Sequence, residues 1–258
     1  MVHQNLAIEA LQVWEKWNVE LSETSDKIPG IAKSDVLYVN NGNVIINTTP
    51  SLSDFELQSI ASMKAVGQGS TQFVVQNAAD NARARESGYG YALEPFRRNG
   101  KGYCVLLDIA GGFLNADKAC CFALHKARSL GVKFIFGPGG TFKNFVTSAT
   151  EPEVVAGVIT EDGTRYEAAM TIAAGGGWTP TIVPELDGLC ETTAGSVFFY
   201  QIPRDSPLWD RFAPENFPSY SYAMRDGAIG GIYGFPRDSE GRFKIGLVLS
   251  TLPFEVQS

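Results

Sequence analysis

The order of elements between residues 108 and 177 constrains this chain more than any other feature. Asp108-Ile109-Ala110-Gly111-Gly112-Phe113 leads into a helical pattern over 115–130, where Ala116, Ala119, Ala123 and Ala127 share one stripe. Small residues on one helix face allow close approach to a sheet. Gly131 stands where a helix ends on a left-handed residue, and the apolar strand Val132-Lys133-Phe134-Ile135-Phe136 follows at once. Helix, glycine stop and strand predict an α/β unit. Three short strands are expected over 142–148, 154–160 and 164–169, with Asp162-Gly163 as the turn between the last two. The run Met170-Thr171-Ile172-Ala173-Ala174 then reads as a buried strand that stops at Gly175-Gly176-Gly177. Segments 132–136 and 170–174 are expected side by side, as parallel strands of one sheet.

A strand that ends in glycines brings backbone N–H groups close to a ligand's phosphates or adenine, where any Cβ would block the approach. Thr179 and Pro180 read as N-cap and first residue of a short helix whose amide end favours an anion. Taken alone, the run reads equally well as a flexible turn.

Elsewhere the pattern is mixed. Leu6, Ala10, Val13 and Trp17 recur at helical spacing over 5–17. Residues 36–39 and 44–46 read as strands joined by an Asn41-Gly42 hairpin turn. Ser53 with Glu56 forms a capping box for a helix toward Lys64. Residues 71–75 read as a strand and 77–86 as a helix. The aromatic-rich stretch from Phe198 to Phe235 predicts a sheet, packed over a substrate pocket or simply apolar on one face.

The chemistry open to the chain is narrow. Its 21 Lys and Arg against 28 Asp and Glu give a net charge of −7. With no basic cluster, nucleic acid and anionic membrane surfaces are excluded as partners. No apolar run approaches the roughly 20 residues of a membrane span. The opening residues lack the basic and apolar regions of a signal peptide. Cys104, Cys120, Cys121 and Cys190 form no C-x-x-C and read as reduced thiols of an intracellular protein, cytoplasmic or peroxisomal. Asn47-Thr48-Thr49 matches a glycosylation acceptor by coincidence. Histidines are only His3, near the terminus, and His125, beside Lys126 on a solvated helix face, so a histidine triad or metal site is not expected. No metal site is expected, and no catalytic residue is identified. Glu185, Asp187, Asp205 and Asp210 read as solvated surface groups rather than a catalytic pair. Chemistry here would be carried by a cofactor.

Three stretches carry a family resemblance: DIAGGFLNADKACCFALHKARSLGVKFIFGPGGTFK, DGTRYEAAMTIAAGGGWTPTIVPEL and GIYGFPRDSEGRFKIG. Their order and spacing resemble the FAD-dependent amine oxidases of the D-amino-acid-oxidase superfamily. The resemblance is to fungal fructosyl-amino-acid oxidases (amadoriases) in particular, with sarcosine, pipecolate and saccharopine oxidases nearby. It implies an α/β fold: a glutathione-reductase-type FAD/NAD(P)-binding sheet interleaved with a substrate domain of mixed β-sheet plus helices. The implied division is 1–33 as a helical part of the FAD domain, 34–110 as substrate domain, 111–188 as FAD domain and 189–258 as substrate domain. It also implies FAD as cofactor and a small-molecule amine or amino acid as substrate, oxidised at its C–N bond with O₂ as acceptor. Val132 would offer its backbone to the adenine end of FAD. Ala174, Gly175 and Gly176 would line the dinucleotide path, with Trp178 beside it or in the core.

The departures matter too. The family's opening strand, G-x-G-x-x-G, helix and ribose-binding acid have no match here, and Gly67-Gln68-Gly69-Ser70 does not replace them. The first βαβ unit is expected to be missing. From Leu247 onward the resemblance ends, and the family's flavin-linking cysteine segment is absent. The chain is therefore expected to be shortened at both ends and not to retain FAD alone. The competing readings are an inactive fragment and a non-catalytic binding protein of the same fold.

Overall fold

The structure is a computed structural model that describes residues 2–47, 49–93, 103–190, 195–224 and 230–248. In chain order the first elements are α1 (Val2–Glu23), β1 (Tyr38–Val39), β2 (Asn43–Asn47), α2 (Asp54–Ala65) and β3 (Gln72–Val74). Next come α3 (Ala78–Glu86), α4 (Gly90–Leu93), β4 (Cys104–Asp108), β5 (Phe113–Leu114) and α5 (Ala116–Ser129). A meander follows: β6 (Phe142–Thr147), β7 (Val155–Thr160) and β8 (Arg165–Glu167). Then come α6 (Thr179–Ile182), β9 (Ser196–Gln201), α7 (Leu208–Arg211), β10 (Ser219–Met224), β11 (Gly230–Phe235) and β12 (Arg242–Val248). The chain forms two compact units, residues 1–122 with 195–258, and residues 123–194.

The larger unit is built on a seven-stranded sheet in the order β3-β4-β2-β10-β11-β12-β9. Every described ladder in it is antiparallel except β2 with β10, which run parallel from Asn43↔Ser219 to Asn47↔Ala223. Val44, Ile46, Phe73, Val105 and Leu107 from three neighbouring strands bury one face against Ala84, Ala92 and Leu93 of α3 and α4. A second cluster joins Ile202, Phe217 and Phe243 with Trp209 and Phe212. The helices start as their sequences dictate. Ser53 accepts from Glu56 N at 3.4 Å while Ser53 N donates to Glu56 Oε2 at 2.6 Å, the expected capping box. Asn77 accepts from Ala79 N and Asp80 N to open α3.

Two expectations for this unit change. Asn41-Gly42 does not turn a hairpin: β1 pairs with β5, and β2 pairs with β4 and β10. The polar groups of the turn are spent elsewhere. Gly42 N donates to Gly111 O at 3.1 Å, Gly42 O accepts from Ser219 N at 3.0 Å, and the Tyr91 hydroxyl donates to Asn41 O at 2.9 Å. The apolar face of α1 is also rotated. Leu6 and Val13 are exposed, whereas Ile8, Leu11, Trp14, Trp17 and Leu21 are covered. Two apolar stripes coexist on this helix, and the Trp14–Trp17 edge contact with Phe122 beyond it selects one of them.

In the smaller unit the meander forms as read, β6-β7-β8, all antiparallel. Gly163 takes φ +85° in the turn, where Asp162 Oδ1 accepts from Thr164 N at 2.9 Å and from the Thr160 hydroxyl at 2.8 Å. α5 ends on Gly131 at φ +85°, as its position required. The parallel pair does not form: 132–136 and 170–174 are outside every strand. Phe136, Met170 and Ile172 are 70%, 77% and 80% exposed. Apolar runs signal burial, but a strand also needs a neighbour to receive its N–H and C=O groups. Among the described residues neither segment has one.

Candidate functional site

The glycine run closes a short turn rather than ending a strand. Trp178 N donates to Gly175 O at 3.0 Å, and the Thr179 hydroxyl donates to Gly176 O at 2.8 Å. The two glycines answer different demands. A Cβ on Gly175 would meet Ile182 Cδ1 at 2.5 Å, a side-chain end that can turn aside, and Thr179 N at 3.3 Å. Gly176 lies at φ +56° with nothing within 4 Å of the Cβ position, which leaves its backbone bare to an approaching group. Ala174 is exposed beside it, and Trp178 is 75% exposed, so its ring is no core aromatic here. Thr179 is helical (φ −53°, ψ −42°) and its hydroxyl is committed as a donor, so it is not an N-cap. The four-residue α6 offers no anion site of its own.

Val132 follows the Gly131 stop and is half exposed. Its N–H donates to Ala127 O at 3.0 Å, which leaves the carbonyl as the backbone group free to meet a ligand. The groups these residues leave open to a dinucleotide are the Gly176 backbone, the exposed Trp178 indole and the Val132 carbonyl. Glu185, Asp187, Asp205 and Asp210 are all exposed, as expected of solvated groups. His125 is partly buried rather than fully solvated. Among the described residues, no group of three His, Cys, Asp or Glu side chains is arranged to hold a metal. Asn47 of the glycosylation triplet is fully buried and its amide donates to Glu56 Oε1 at 2.7 Å; residue 48 lies outside the described residues.

The sequence reading missed a cavity of about 560 Å³ in the larger unit, beside the first turns of α1. Ile8, Leu11, Trp14 and Phe113 form its apolar wall, and Asp108 and Gln4 contribute polar groups. Its floor exists because of Gly111-Gly112. A Cβ on Gly112 would meet Val39 O at 2.1 Å, and one on Gly111 would meet Asn43 Cβ at 2.7 Å. The signal for it was Asp108 three residues before Gly111-Gly112, a charged strand end close to a backbone that packs tightly.

The fold is one shared with solved fungal fructosyl peptide oxidases, with a mixed sheet in one unit and a helix, meander and glycine run in the other. Its solved neighbours are fungal fructosyl peptide oxidases. The modified enzyme from Aspergillus nidulans in complex with FSA matches 93% of this chain and 50% of its own, at TM-score 0.60 and 23% identity. The E. terrenum fructosyl peptide oxidase matches 94% of this chain and 53% of its own, at TM-score 0.62 and 21% identity. Amadoriase I from Aspergillus fumigatus matches 92% and 48%, at TM-score 0.55 and 19% identity. At these identities the likeness establishes the fold. By sequence, L-saccharopine oxidase of Schizosaccharomyces pombe is 38% identical over 72 residues, 26% of this chain and 17% of that protein. No family model matches the chain. The chain thus spans about half the length of the solved structures it resembles.

Proposed function

We propose that this chain is part of an FAD-dependent oxidase acting on the C–N bond of an amino acid or secondary amine, of fructosyl-amino-acid, saccharopine, pipecolate or sarcosine type, with O₂ as acceptor. The observation that carries this reading is the fold itself, since over nine-tenths of the chain follows a fructosyl peptide oxidase. In this reading residues 34–110 and 189–258 belong to the substrate domain, and 1–33 and 111–188 to the FAD domain. Val132 would meet the adenine end through its carbonyl, and Ala174, Gly175 and Gly176 would border the dinucleotide path. Gly176 would give the closest backbone approach, with Trp178 covering one side. When bound, the flavin would supply the two-electron acceptor for the C–N oxidation. The residues named here bind and orient; none of them moves a proton.

The test is made on natively isolated protein with four substrates: a fructosyl amino acid, saccharopine, pipecolate and sarcosine. Flavin absorbance and peroxide release are the readouts. Flavin bleached without O₂ and peroxide formed with O₂ for one substrate class would support the proposal. No flavin in the whole native protein, of which this chain is proposed to be a part, would end it; the chain by itself is not expected to hold flavin. Flavin that none of the four reduces would favour a binding protein of the same fold.

A further inference from the structure

β9 stands at one end of the seven-stranded sheet, and its sequence SVFFYQ leaves that edge without the usual guards. Edge strands avoid pairing with further chains through charge, proline, a bulge or a cover. β9 has no charged residue and no proline, and all six of its residues are exposed. Its ladder with β12 runs from Ser196↔Leu247 to Gln201↔Arg242 without a register shift.

The backbone determines which groups this edge offers. Ile202 N donates to Gly241 O at 2.8 Å, one step beyond the Gln201↔Arg242 pair, so Ile202 turns its polar groups toward the line of β12. Arg242 O accepts from Asp238 N at 3.1 Å, toward the β11–β12 connection and away from β9. In an antiparallel ladder both polar groups of a residue point the same way, and successive residues alternate. Ser196, Phe198 and Tyr200 therefore bond β12, while Val197, Phe199 and Gln201 turn their N–H and C=O groups to the open edge. Among the described residues no strand lies on that edge.

Val197 and Gln201 are placed evenly about Phe199, so the edge is complementary to itself. A second copy, related by a two-fold axis through Phe199 perpendicular to the sheet, sets Phe199 against Phe199 and Val197 against Gln201. Every N–H and C=O that these residues present then finds a partner. An axis through Phe198 would instead carry the Gln201 groups past the end of the other copy's strand. The axis at Phe199 also sets Phe198 opposite Tyr200 of the second copy in the closely spaced kind of pair, where aromatic rings meet across strands. With no charge on the strand, the edge has no electrostatic preference for a different chain and no like-charge penalty against its own. Aromatic side chains of about 150–250 Å² each, 61–62% exposed, leave several hundred Å² of ring surface per copy. That is short of the roughly 1,600 Å² of a standard stable interface, so the pairing is weak and depends on concentration.

We infer that β9 is the contact between two copies of this chain, paired antiparallel across a two-fold axis at Phe199 so that one sheet continues through both. The inference stands on the larger unit alone and needs neither flavin nor turnover. Its failure would therefore leave the oxidase proposal untouched, and the reverse also holds.

Sedimentation equilibrium of the chain over roughly 1–100 μM should give a monomer–dimer equilibrium. Phe199→Pro removes a donor from the open edge and leaves the bonds to β12 in place, so it should weaken association at least about tenfold. Disulfide crosslinking reads the register separately, with Cys120→Ser, Cys121→Ser and Cys190→Ser removing the thiols that are not buried. In that background, Phe198→Cys and Tyr200→Cys chains should crosslink when mixed, and neither should when oxidised alone. This arm carries the test should Phe199→Pro not fold. A chain that is monomeric throughout, association unchanged in folded Phe199→Pro, a mixture that does not crosslink, or crosslinking of Phe198→Cys alone would overturn the assignment.

Discussion

The Ser219 hydroxyl donates to Asn41 Oδ1 at 3.1 Å, while the Asn41 amide donates to Phe217 O at 3.0 Å. Asn41 and Ser219 are both buried. One side chain thus fixes where β10 enters the sheet beside β2. Asn41→Ala strands the Phe217 carbonyl and the Ser219 hydroxyl together, and should destabilise the fold by about 2–4 kcal/mol. Ser219→Ala removes one donor and should cost about 1–2 kcal/mol. Urea unfolding of both variants checks this. Changes within about 0.5 kcal/mol, the level of an ordinary surface substitution, would show that the register is set elsewhere.

Asp35 and Lys118 form a hydrogen-bonded ion pair, with side chains 22% and 26% exposed. Burial acts to raise the Asp35 carboxyl. The Lys118 hydrogen bond, the Ala32 N–H and the Lys118 charge together outweigh it and hold the group below the ordinary 3.8. A depressed folded value means the pair's stabilisation is fully present above about pH 4 and is lost as pH falls through the folded value. Asp35→Asn should cost about 1 kcal/mol at neutral pH and reduce the acid-side slope of stability against pH. Unfolding midpoints measured from pH 2 to pH 7 would show it. An unchanged slope would mean the pair contributes nothing.

Glu56 is a buried carboxylate with two donors assigned to it, Ser53 N on Oε2 and the Asn47 amide on Oε1. Ser53→Ala removes only the cap and should cost about 1 kcal/mol. Glu56→Ala should cost about 2–3 kcal/mol more, because the fully buried Asn47 amide is left without its acceptor. Thermal unfolding of the two single variants separates these cases. Equal losses would reduce Glu56 to a helix-capping residue.

Two apolar surfaces lie open. Residues 132–136 and 170–174 lie outside every described ladder, and β9, at the end of its sheet, is exposed along its whole length, Phe198, Phe199 and Tyr200 each to more than 60%. Edges of this kind pair with other chains. The isolated chain should aggregate or bind a hydrophobic dye strongly, and Phe199→Lys should reduce association through β9. A monodisperse monomer with a sharp melting transition and little dye binding would refute this.

For flavin, the chain alone should be colourless after gel filtration, and added FAD should scarcely move its melting temperature. A tight ligand raises stability by mass action, whereas the open Gly176 turn offers few groups to hold a dinucleotide. Yellow protein would mean that the 174–178 segment binds the whole cofactor.

What was legible in the sequence was local. The Ser53–Glu56 box, the Gly131 stop and the Asp162-Gly163 turn each depend on residues a few positions apart, and each formed as read. What was not legible was partnership. Asn41-Gly42 has the composition of a hairpin, yet its donors and acceptors go to residues 91, 111, 217 and 219. The apolarity of 132–136 and 170–174 could not reveal whether a neighbouring strand was there to pair with. The cavity beside α1 was hidden for a similar reason, since Gln4 and Asp108 are 104 positions apart in sequence.

The parallel ladder of β2 with β10 sets a timetable for synthesis. The side-chain staple from Asn41 to Phe217 spans 176 positions, and the whole of the smaller unit lies within that span. At about 5–20 residues per second, β2 leaves the ribosome many seconds before β10 exists. During that interval β2 has β4 on one edge, with its other edge unoccupied. The nascent chain must therefore hold half a sheet open while a second body is made, and it is most vulnerable to mispairing in this period.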